Sequence, residues 1–354
     1  MRVAHRRFDD VFDLGYGRAW FGAAGPVQRN STMDLPLDGT FKFGVQTIHR
    51  RPELEDAPWV PDAASVRALT GLLDRLGYDS LWVGDHIAFA LPILDPLLQL
   101  AHAAAFSQRL TFGTGIYLLP LRHPTLVAKQ IATLDHLSGG RFIFGVGVGG
   151  EFPGEFDACG VPVTERGARM TESIRVLRAL WSGEAVANDG RFYPFSEVRM
   201  LPTPKQPGGP PIWCGGRSRA ALERCGRMAD GWMSYVVTPD MYRTSLETIA
   251  GAAADREVGT FGTSHLLFTC IDDRYETALE KAVETLSTRY AMDFRAPAKK
   301  YAALGPTADI AARLAEFHRA GVRHVVLDFL GPMAERDAQI ERFASEVRPL
   351  IADL

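Results

Sequence analysis

Residues 110–148 read LTFGTGIYLLPLRHPTLVAKQIATLDHLSGGRFIFGVGV. The stretch begins with a run rich in β-branched and aromatic residues, Leu110–Ile116, and ends with a second such run, Arg141–Val148. Between them, Pro124–Leu137 has apolar residues three and four positions apart, as in an amphipathic helix, and starts with a proline, which suits a first helical turn. The stretch therefore predicts a strand, a helix and a second strand, the repeating unit of a parallel α/β sheet.

The same alternation continues on both sides of this unit from residue 41 onward. Eight strand-like runs are present: Phe41–Thr47, Ser80–Gly84, Leu110–Ile116, Arg141–Val148, Pro211–Cys214, Gly231–Tyr235, His265–Ile271 and His324–Phe329. Helical spacing recurs between them at Ala63–Leu76, Pro96–Phe106, Pro124–Leu137, Glu165–Trp181, Ser218–Met228, Tyr275–Tyr290 and Ala308–Ala320. Eight such units predict a (β/α)8 TIM barrel in the α/β class.

Two long connections, at about 183–210 and 291–306, predict insertions at the barrel mouth. The first is rich in proline and glycine and indicates a covering loop with a small hairpin around Arg191–Met200. Residues 1–32 have no clear periodicity, so we expect an N-terminal extension that is poorly ordered, with the barrel occupying 33–354.

Composition narrows the classes of partner. The 354 residues are 46% hydrophobic and 23% charged, with a formal net charge of −3 and no basic stripe, which argues against nucleic acid. No run of about 18 apolar residues occurs, so we expect no membrane span. Four cysteines, too few for a disulfide framework and too widely spaced for a CxxC motif, favour a reducing cytoplasm.

In a parallel barrel, the loops that follow the strands converge on one face, so polar residues there are candidates for chemistry. Asp85 and His86 follow the second strand, where an imidazole can act as acid or base; a capping aspartate beside a surface histidine is the alternative. After the third strand, the small residues around Gly115 and Ile116 would admit a flat ring close to the backbone. A strand bulge or bend is the alternative there.

The fourth strand ends in Gly145–Gly150, which formally matches GxGxxG. A dinucleotide fingerprint must open directly into a helix, and Glu151 with Pro153 interrupts here, so an NAD-linked dehydrogenase is disfavoured. We expect Gly147 and Gly149 to line the mouth instead. Arg166, in the next helix, is a candidate phosphate clamp or a structural partner of nearby glutamates.

After the fifth strand, Gly215, Gly216, Arg217 and Ser218 lead into a helix whose free N–H groups suit a phosphate; an ordinary capped helix start is the alternative. The nine histidines are scattered without HxH or HExxH, so no metal site is predicted, and no GxSxG elbow occurs. Substrate identity does not follow from the sequence. Aromatic candidates for an apolar pocket, or for ordinary packing, are Phe89, Trp59, Tyr117 and Phe152.

Several features now coincide: the RHP turn, the helix AKQIATLDHLSGGR, the strand GVGVG, then PPIWCGG and ADGW. From about Phe41 to its end, the chain resembles the luciferase-like monooxygenase superfamily, whose members bind FMN or its deazaflavin analogue F420. The resemblance implies a cis peptide between Gly115 and Ile116 that supports the cofactor ring. It also implies that His86 is the catalytic histidine, with Asp85 near the reactive edge of the ring. The cofactor phosphate would be held by Gly215, Gly216, Arg217 and Ser218, and Arg166 resembles an arginine that assists in some FMN members.

One departure from the family pattern bears on the cofactor. Luciferase has a phosphate-binding arginine at the end of the fourth strand, where this chain has about Gly149. The chain is therefore more similar to the F420-dependent group, one of whose members uses a glutamate after the fourth strand as an acid, which Glu151 roughly matches.

We expect F420-dependent hydride transfer to or from a small organic substrate, in a homodimer. The alternatives are an FMN-dependent monooxygenase supplied by a separate flavin reductase, and a non-catalytic flavin-binding barrel.

Overall fold

Twelve strands occur in the part of the chain that the computed structural model describes, residues 39–47, 62–89, 92–253, 256 and 260–354. In chain order they are β1 Lys42–Gln46, β2 Ser80–Val83, β3 Thr111–Thr114, β4 Tyr117–Leu118, β5 Phe142–Gly147, β6 Ala185–Asn188, β7 Phe195–Arg199, β8 Ile212–Gly215, β9 Gly231–Tyr235, β10 Gly262–Ile271, β11 Ala303–Gly305 and β12 His324–Phe329. All eight predicted strands are confirmed, with ends that differ by at most three residues. The proposed extension 1–32 and Trp59 lie outside the described residues.

Eight of these strands form a closed barrel in the order β1, β2, β3, β5, β8, β9, β10, β12. Each neighbouring pair is parallel, and β12 returns to β1 with Lys42 opposite His324. The short strand β4 extends the mouth beside β5, and β11 pairs with the end of β10. The predicted (β/α)8 barrel is therefore confirmed, and the carboxyl ends of its strands share one rim.

Eleven α-helices occur in the described residues. They are α1 Ala63–Arg75, α2 Pro96–Ala104, α3 Pro124–Leu137, α4 Pro153–Ala158, α5 Arg166–Trp181, α6 Arg219–Met228, α7 Pro239–Ala252, α8 Tyr275–Tyr290, α9 Arg295–Tyr301, α10 Thr307–Arg319 and α11 Arg336–Arg342. The seven predicted helices are confirmed. The connection at 291–306 is not a plain loop, because it contains α9 and β11, which are too short to leave a periodic pattern.

The predicted hairpin is present, because β6 pairs antiparallel with β7. It begins at Ala185, earlier than the expected Arg191. It is fixed to α5 by Glu172, which is 9% exposed and accepts hydrogen bonds from the backbone N–H of Phe192 and Tyr193 at 3.1 and 2.8 Å. The composition of this segment predicted a loop with a small hairpin, whereas the contacts with Glu172 determine where the hairpin lies.

Indole rings fill the barrel interior below the mouth. Trp82 stacks on Trp213 with ring centroids 5.4 Å apart, and a Cβ on Gly113 would lie 2.3 Å from the Trp82 ring. A glycine is therefore required beside this ring. In the described part of the chain, no helix combines the length and apolarity needed to cross a membrane.

Candidate active site

A cavity of about 230 Å³ lies at the carboxyl ends of the barrel strands. Its lining combines backbone from the glycines after β3, β5 and β8 with side chains from the loops after β2 and β5 and from β9, β10, α8 and β12. Of the residues predicted to form the site, the lining includes Asp85, His86, Gly115, Ile116, Gly149, Glu151, Gly215 and Gly216. Gly147, Arg166, Arg217 and Ser218 are not part of it.

His86 forms a pair with Glu155, a residue of the short helix α4. The Nδ1 atom of His86 lies 2.9 Å from Glu155 Oε2, and the exposed fractions of the two side chains are 21% and 2%. Glu155 Oε1 also accepts from the backbone N–H of Ile87 at 2.6 Å and of Ala88 at 3.1 Å. Burial alone would raise the pKa of Glu155, but these hydrogen bonds outweigh it and the pKa is lowered.

Aromatic rings enclose the His86 imidazole. Phe89 stacks on it with centroids 4.0 Å apart, and Phe152 meets it edge-on at 5.3 Å. Glu155 is hydrogen-bonded to His86 Nδ1, and the described residues provide no hydrogen-bond partner for Nε2. A carboxylate that accepts from Nδ1–H fixes the tautomer in which Nε2 of the neutral ring carries the lone pair. The arrangement can therefore accept or deliver a proton at Nε2.

Asp85 has different partners, although it precedes His86 directly. Its carboxylate forms a two-pronged pair with Arg122 at 2.5 and 2.8 Å and accepts from the backbone N–H of Leu118 at 2.8 Å. Arg122 in turn lies over the Tyr117 ring, 4.2 Å from its centroid, and Tyr117 is buried in the core. These contacts tie the loop after β2 to the segment after β3.

Glu151 lies on another part of the wall. Its Oε1 accepts a short hydrogen bond from the hydroxyl of Tyr235, and burial raises the pKa of that hydroxyl well above its usual value. Tyr235 therefore stays protonated and acts as a donor to the carboxylate.

The peptide bond between Gly115 and Ile116 is cis, which confirms that expectation. Glycines nearby make room for the Ile116 side chain. An added Cβ would lie 1.7 Å from Ile116 Cδ1 at Gly147 and 2.8 Å from it at Gly215. Gly147 thus makes room for the Ile116 side chain and does not line the cavity.

Gly216 and Gly149 line the cavity with positive φ angles of 107° and 60°. Beyond Gly216, Ser218 caps α6, accepting from the backbone N–H of Ala221 at 3.4 Å. Arg217 donates to the carbonyl of Val236 at 3.0 Å and lies over the Tyr235 ring at 5.8 Å.

Arg166 donates to the carbonyl of Val163 at 2.8 Å, and its Nε lies 3.0 Å from where a Cβ on Gly150 would be. The Arg166 guanidinium therefore lies beside Gly150, at the end of the uncharged segment Gly145–Gly150.

Residues 41–344 match the family model for luciferase-like monooxygenases. The chain belongs to the luciferase-like monooxygenase family. An uncharacterised protein of Mycobacterium tuberculosis is 35% identical to it over 187 residues, which is 47% of this chain and 64% of that relative, so less than two thirds of the relative is covered.

The descriptions of two solved structures of similar fold name different cofactors. The coenzyme F420 dependent tetrahydromethanopterin reductase of Methanopyrus kandleri is 20% identical, with a TM-score of 0.71 and coverage of 88% of this chain and 99% of that one. The oxygenating constituent of 3,6-diketocamphane monooxygenase of Pseudomonas putida, in complex with FMN, is 17% identical, with a TM-score of 0.70 and coverage of 88% and 98%. At these identities the likeness shows the fold alone.

Glu155, Arg289 and Asp328 are among the polar groups of this luciferase-like site that sequence reasoning missed. Glu155 was visible four residues after Glu151, but nothing local pointed to His86, which is 69 residues away. Arg289 and Asp328 form an ion pair at 2.6 Å on the cavity wall, with side chains 8% and 5% exposed. Asp328 stands near the end of a predicted strand and was a detectable candidate, whereas Arg289 lies inside a helix with no such signal.

The described residues of the luciferase-like barrel contain no cluster of three or more histidine, cysteine or acidic side chains that could hold a metal.

Proposed function

We propose that this protein is an oxidoreductase that transfers hydride between deazaflavin F420 and a small organic substrate. The observation that carries the proposal is the pair His86–Glu155, in a cavity partly lined by glycine backbone, where His86 Nε2 has no hydrogen-bond partner among the described residues. The family supports an enzyme, and a non-catalytic barrel has no need of such an ionisable pair.

The residues present fit a flat heterocycle with N–H groups. Gln46 lines the cavity, is 4% exposed, and donates its Nε2 to the carbonyl of Gly115 at 3.1 Å. That bond identifies the other terminal atom as oxygen, and this Oε1 is buried without a donor among the described residues. A buried acceptor without a partner is costly, and a ring N–H would satisfy it.

Other residues in and beside this cavity would hold the cofactor. The ring would lie against Gly115, Ile116, Gly149, Gly215 and Gly216. The phosphate would bind Arg217 and Ser218 at the start of α6, where backbone N–H groups favour an anion. When bound, the deazaflavin supplies hydride transfer without oxygen.

His86 handles the proton that accompanies hydride transfer. With Nδ1–H donated to Glu155, Nε2 accepts the hydroxyl proton of an alcohol as it is oxidised, or returns a proton to a carbonyl as it is reduced. Phe89 and Phe152 cover part of the imidazole. Asp85, already paired with Arg122, acts by positioning the loop that carries His86.

Glu151 is the second group that could exchange a proton with substrate, and its Tyr235 partner keeps it fixed.

An FMN-dependent monooxygenase, supplied by a separate reductase, is the second candidate. Arg166 favours it, because its guanidinium beside Gly150 supplies a positive charge near the place where the strand end lacks one. The two solved structures described above are equally similar in fold, so they favour neither cofactor.

The proposal is tested by titrating the purified chain with F420 and with FMN. Binding is measured from the quenching of cofactor fluorescence. We expect micromolar binding of F420 and at least about tenfold weaker binding of FMN. Micromolar FMN affinity without F420 binding would replace the first candidate by the second. Homodimer formation stays a prediction, to be measured by light scattering on the same sample.

A further inference from the structure

One ion pair on the cavity wall has no part in the proposed reaction. Arg289, in α8, and Asp328, in β12, both line the cavity. Arg289 donates to the two carboxylate oxygens of Asp328 at 2.6 and 3.3 Å, and the exposed fractions of the side chains are 8% and 5%. Because desolvation offsets much of the attraction within a buried ion pair, such a pair contributes little net stability. Stability alone therefore gives no reason for an ion pair on this wall.

The pair lies across the cavity from the backbone that is proposed to face the cofactor. In the ring of eight strands, β12 is four places from β5, and β10 is four places from β3. Gly149 follows β5 and the link between Gly115 and Ile116 follows β3, whereas Asp328 belongs to β12. Arg289 and Asp328 are therefore opposite the cofactor side, on the wall that is left for a substrate.

The guanidinium of Arg289 has hydrogen-bond donors to spare. A guanidinium carries five N–H groups, and the two hydrogen bonds to Asp328 leave others. Tyr290, which lines the same cavity, interacts with the guanidinium, and no further acceptor for it occurs among the described residues. The guanidinium also lies over the Phe268 ring, 5.9 Å from its centroid, which helps to fix its orientation. The arrangement suits a ligand oxygen, and because Asp328 compensates the charge of Arg289, that oxygen need not be anionic.

We propose that Arg289 binds a second oxygen atom of the substrate, so that the cavity prefers organic molecules with a hydroxyl or carbonyl oxygen in addition to the one that reacts beside His86. Asp328 holds the guanidinium in the orientation that this contact needs. The inference rests on the proposed function, because it names the substrate class of the same cavity.

The test compares 1-phenylethanol with 1-phenylethane-1,2-diol, which differ by a single hydroxyl group. The phenyl ring suits a cavity that Phe89, Phe152 and Phe268 line. Both compounds are titrated in a calorimeter into the purified full-length chain, first alone and then with saturating F420. The diol should bind about tenfold more tightly in both titrations, because a hydrogen bond to a charged donor is among the stronger ones.

Removal of the ion pair should abolish the preference for the diol. Arg289→Met combined with Asp328→Leu replaces both charges, so neither is left buried without a partner. The ratio of the two dissociation constants should fall below about twofold. Arg289→Lys keeps a cation beside Asp328 but loses the planar fork, so it should reduce the ratio at least about threefold, and it serves as the test if the double variant does not fold. General damage to the cavity would instead weaken both compounds and leave their ratio unchanged.

Arg295→Gln combined with Glu280→Gln is the matched control. This exposed pair is also bidentate, with both distances 2.7 Å, and neither residue lines the cavity. The control should leave the ratio at the value of the unmodified chain.

Equal affinities for the two compounds in the unmodified chain, or no binding of either, would overturn the inference. A ratio that the Arg289 variants leave unchanged would overturn it as well. So would a preference that saturating F420 abolishes, because the second oxygen would then occupy the place of the cofactor. F420 binding without a preference for the diol contradicts the role of Arg289 alone. A preference that depends on Arg289, without F420 binding, contradicts the proposed function alone.

Discussion

Asp85 and Glu155 are both buried carboxylates at the barrel mouth, with side chains 0% and 2% exposed, yet their partners differ. Asp85 accepts a hydrogen bond from one backbone N–H and Glu155 from two, and each carboxylate also binds one side chain. The side chain is the guanidinium of Arg122 for Asp85 and the imidazole of His86 for Glu155. The two carboxylates are almost equally buried, so the difference between them lies in the side chain that each one binds.

Removal of the imidazole should have the largest effect. His86→Asn keeps a polar group beside Glu155 but has no proton to exchange, so kcat/KM should fall about 10²–10⁴-fold. The measurement is the initial rate of F420 reduction with an alcohol that the unmodified protein turns over. The free energy of unfolding should change by less than about 1 kcal/mol, because the ring is partly exposed. A loss of activity below tenfold would contradict the role of His86.

Asp85→Asn should act on stability instead. It leaves the Arg122 guanidinium, 19% exposed, with only its longer pair to Asp95 at 3.8 Å, so the free energy of unfolding in urea should fall by about 2 kcal/mol. Asp240→Asn is the matched control, because it breaks an exposed pair with Arg243 and should cost under about 0.5 kcal/mol. Equal costs for the two variants would show that Asp85 is not a structural anchor.

Glu155→Gln tests whether the carboxylate positions His86. A glutamine would donate N–H to Nδ1 and move the imidazole proton to Nε2, so kcat/KM should fall about 10–100-fold, with an altered pH profile. Asp157→Asn, an exposed position of α4, should leave both unchanged. A loss of activity with the original pH profile would indicate general damage and not a changed tautomer.

The smallest effect concerns acid stability. The pKa of Glu155 is lowered from an ordinary 4.5, so the unfolded chain takes up a proton at this site before the folded one does. Its stabilising contribution is therefore complete above about pH 4.5 and is lost as the pH falls through the folded value. The stability difference between the unmodified chain and Glu155→Gln, measured in urea across this range, should shrink toward low pH. A difference independent of pH would contradict the lowered pKa.

The barrel and most of the residues at its rim could be predicted from the amino-acid sequence alone. Strand and helix periods are local signals, so eight βα units were countable, and residues after strand ends had to meet at one face. Asp85, His86, Gly115, Ile116, Gly149, Glu151, Gly215 and Gly216 line the cavity as that reasoning expected.

Only the tertiary structure decided which of these residues are partners. His86 and Glu155 are 69 positions apart, and Asp85 and Arg122 are 37 apart, so no local pattern records either pair. Gly147 was expected at the cofactor, whereas it makes room for Ile116 from a neighbouring strand. The physical reason is that periodicity reports the face a residue occupies, while hydrogen bonds and close packing depend on distances that only chain closure sets.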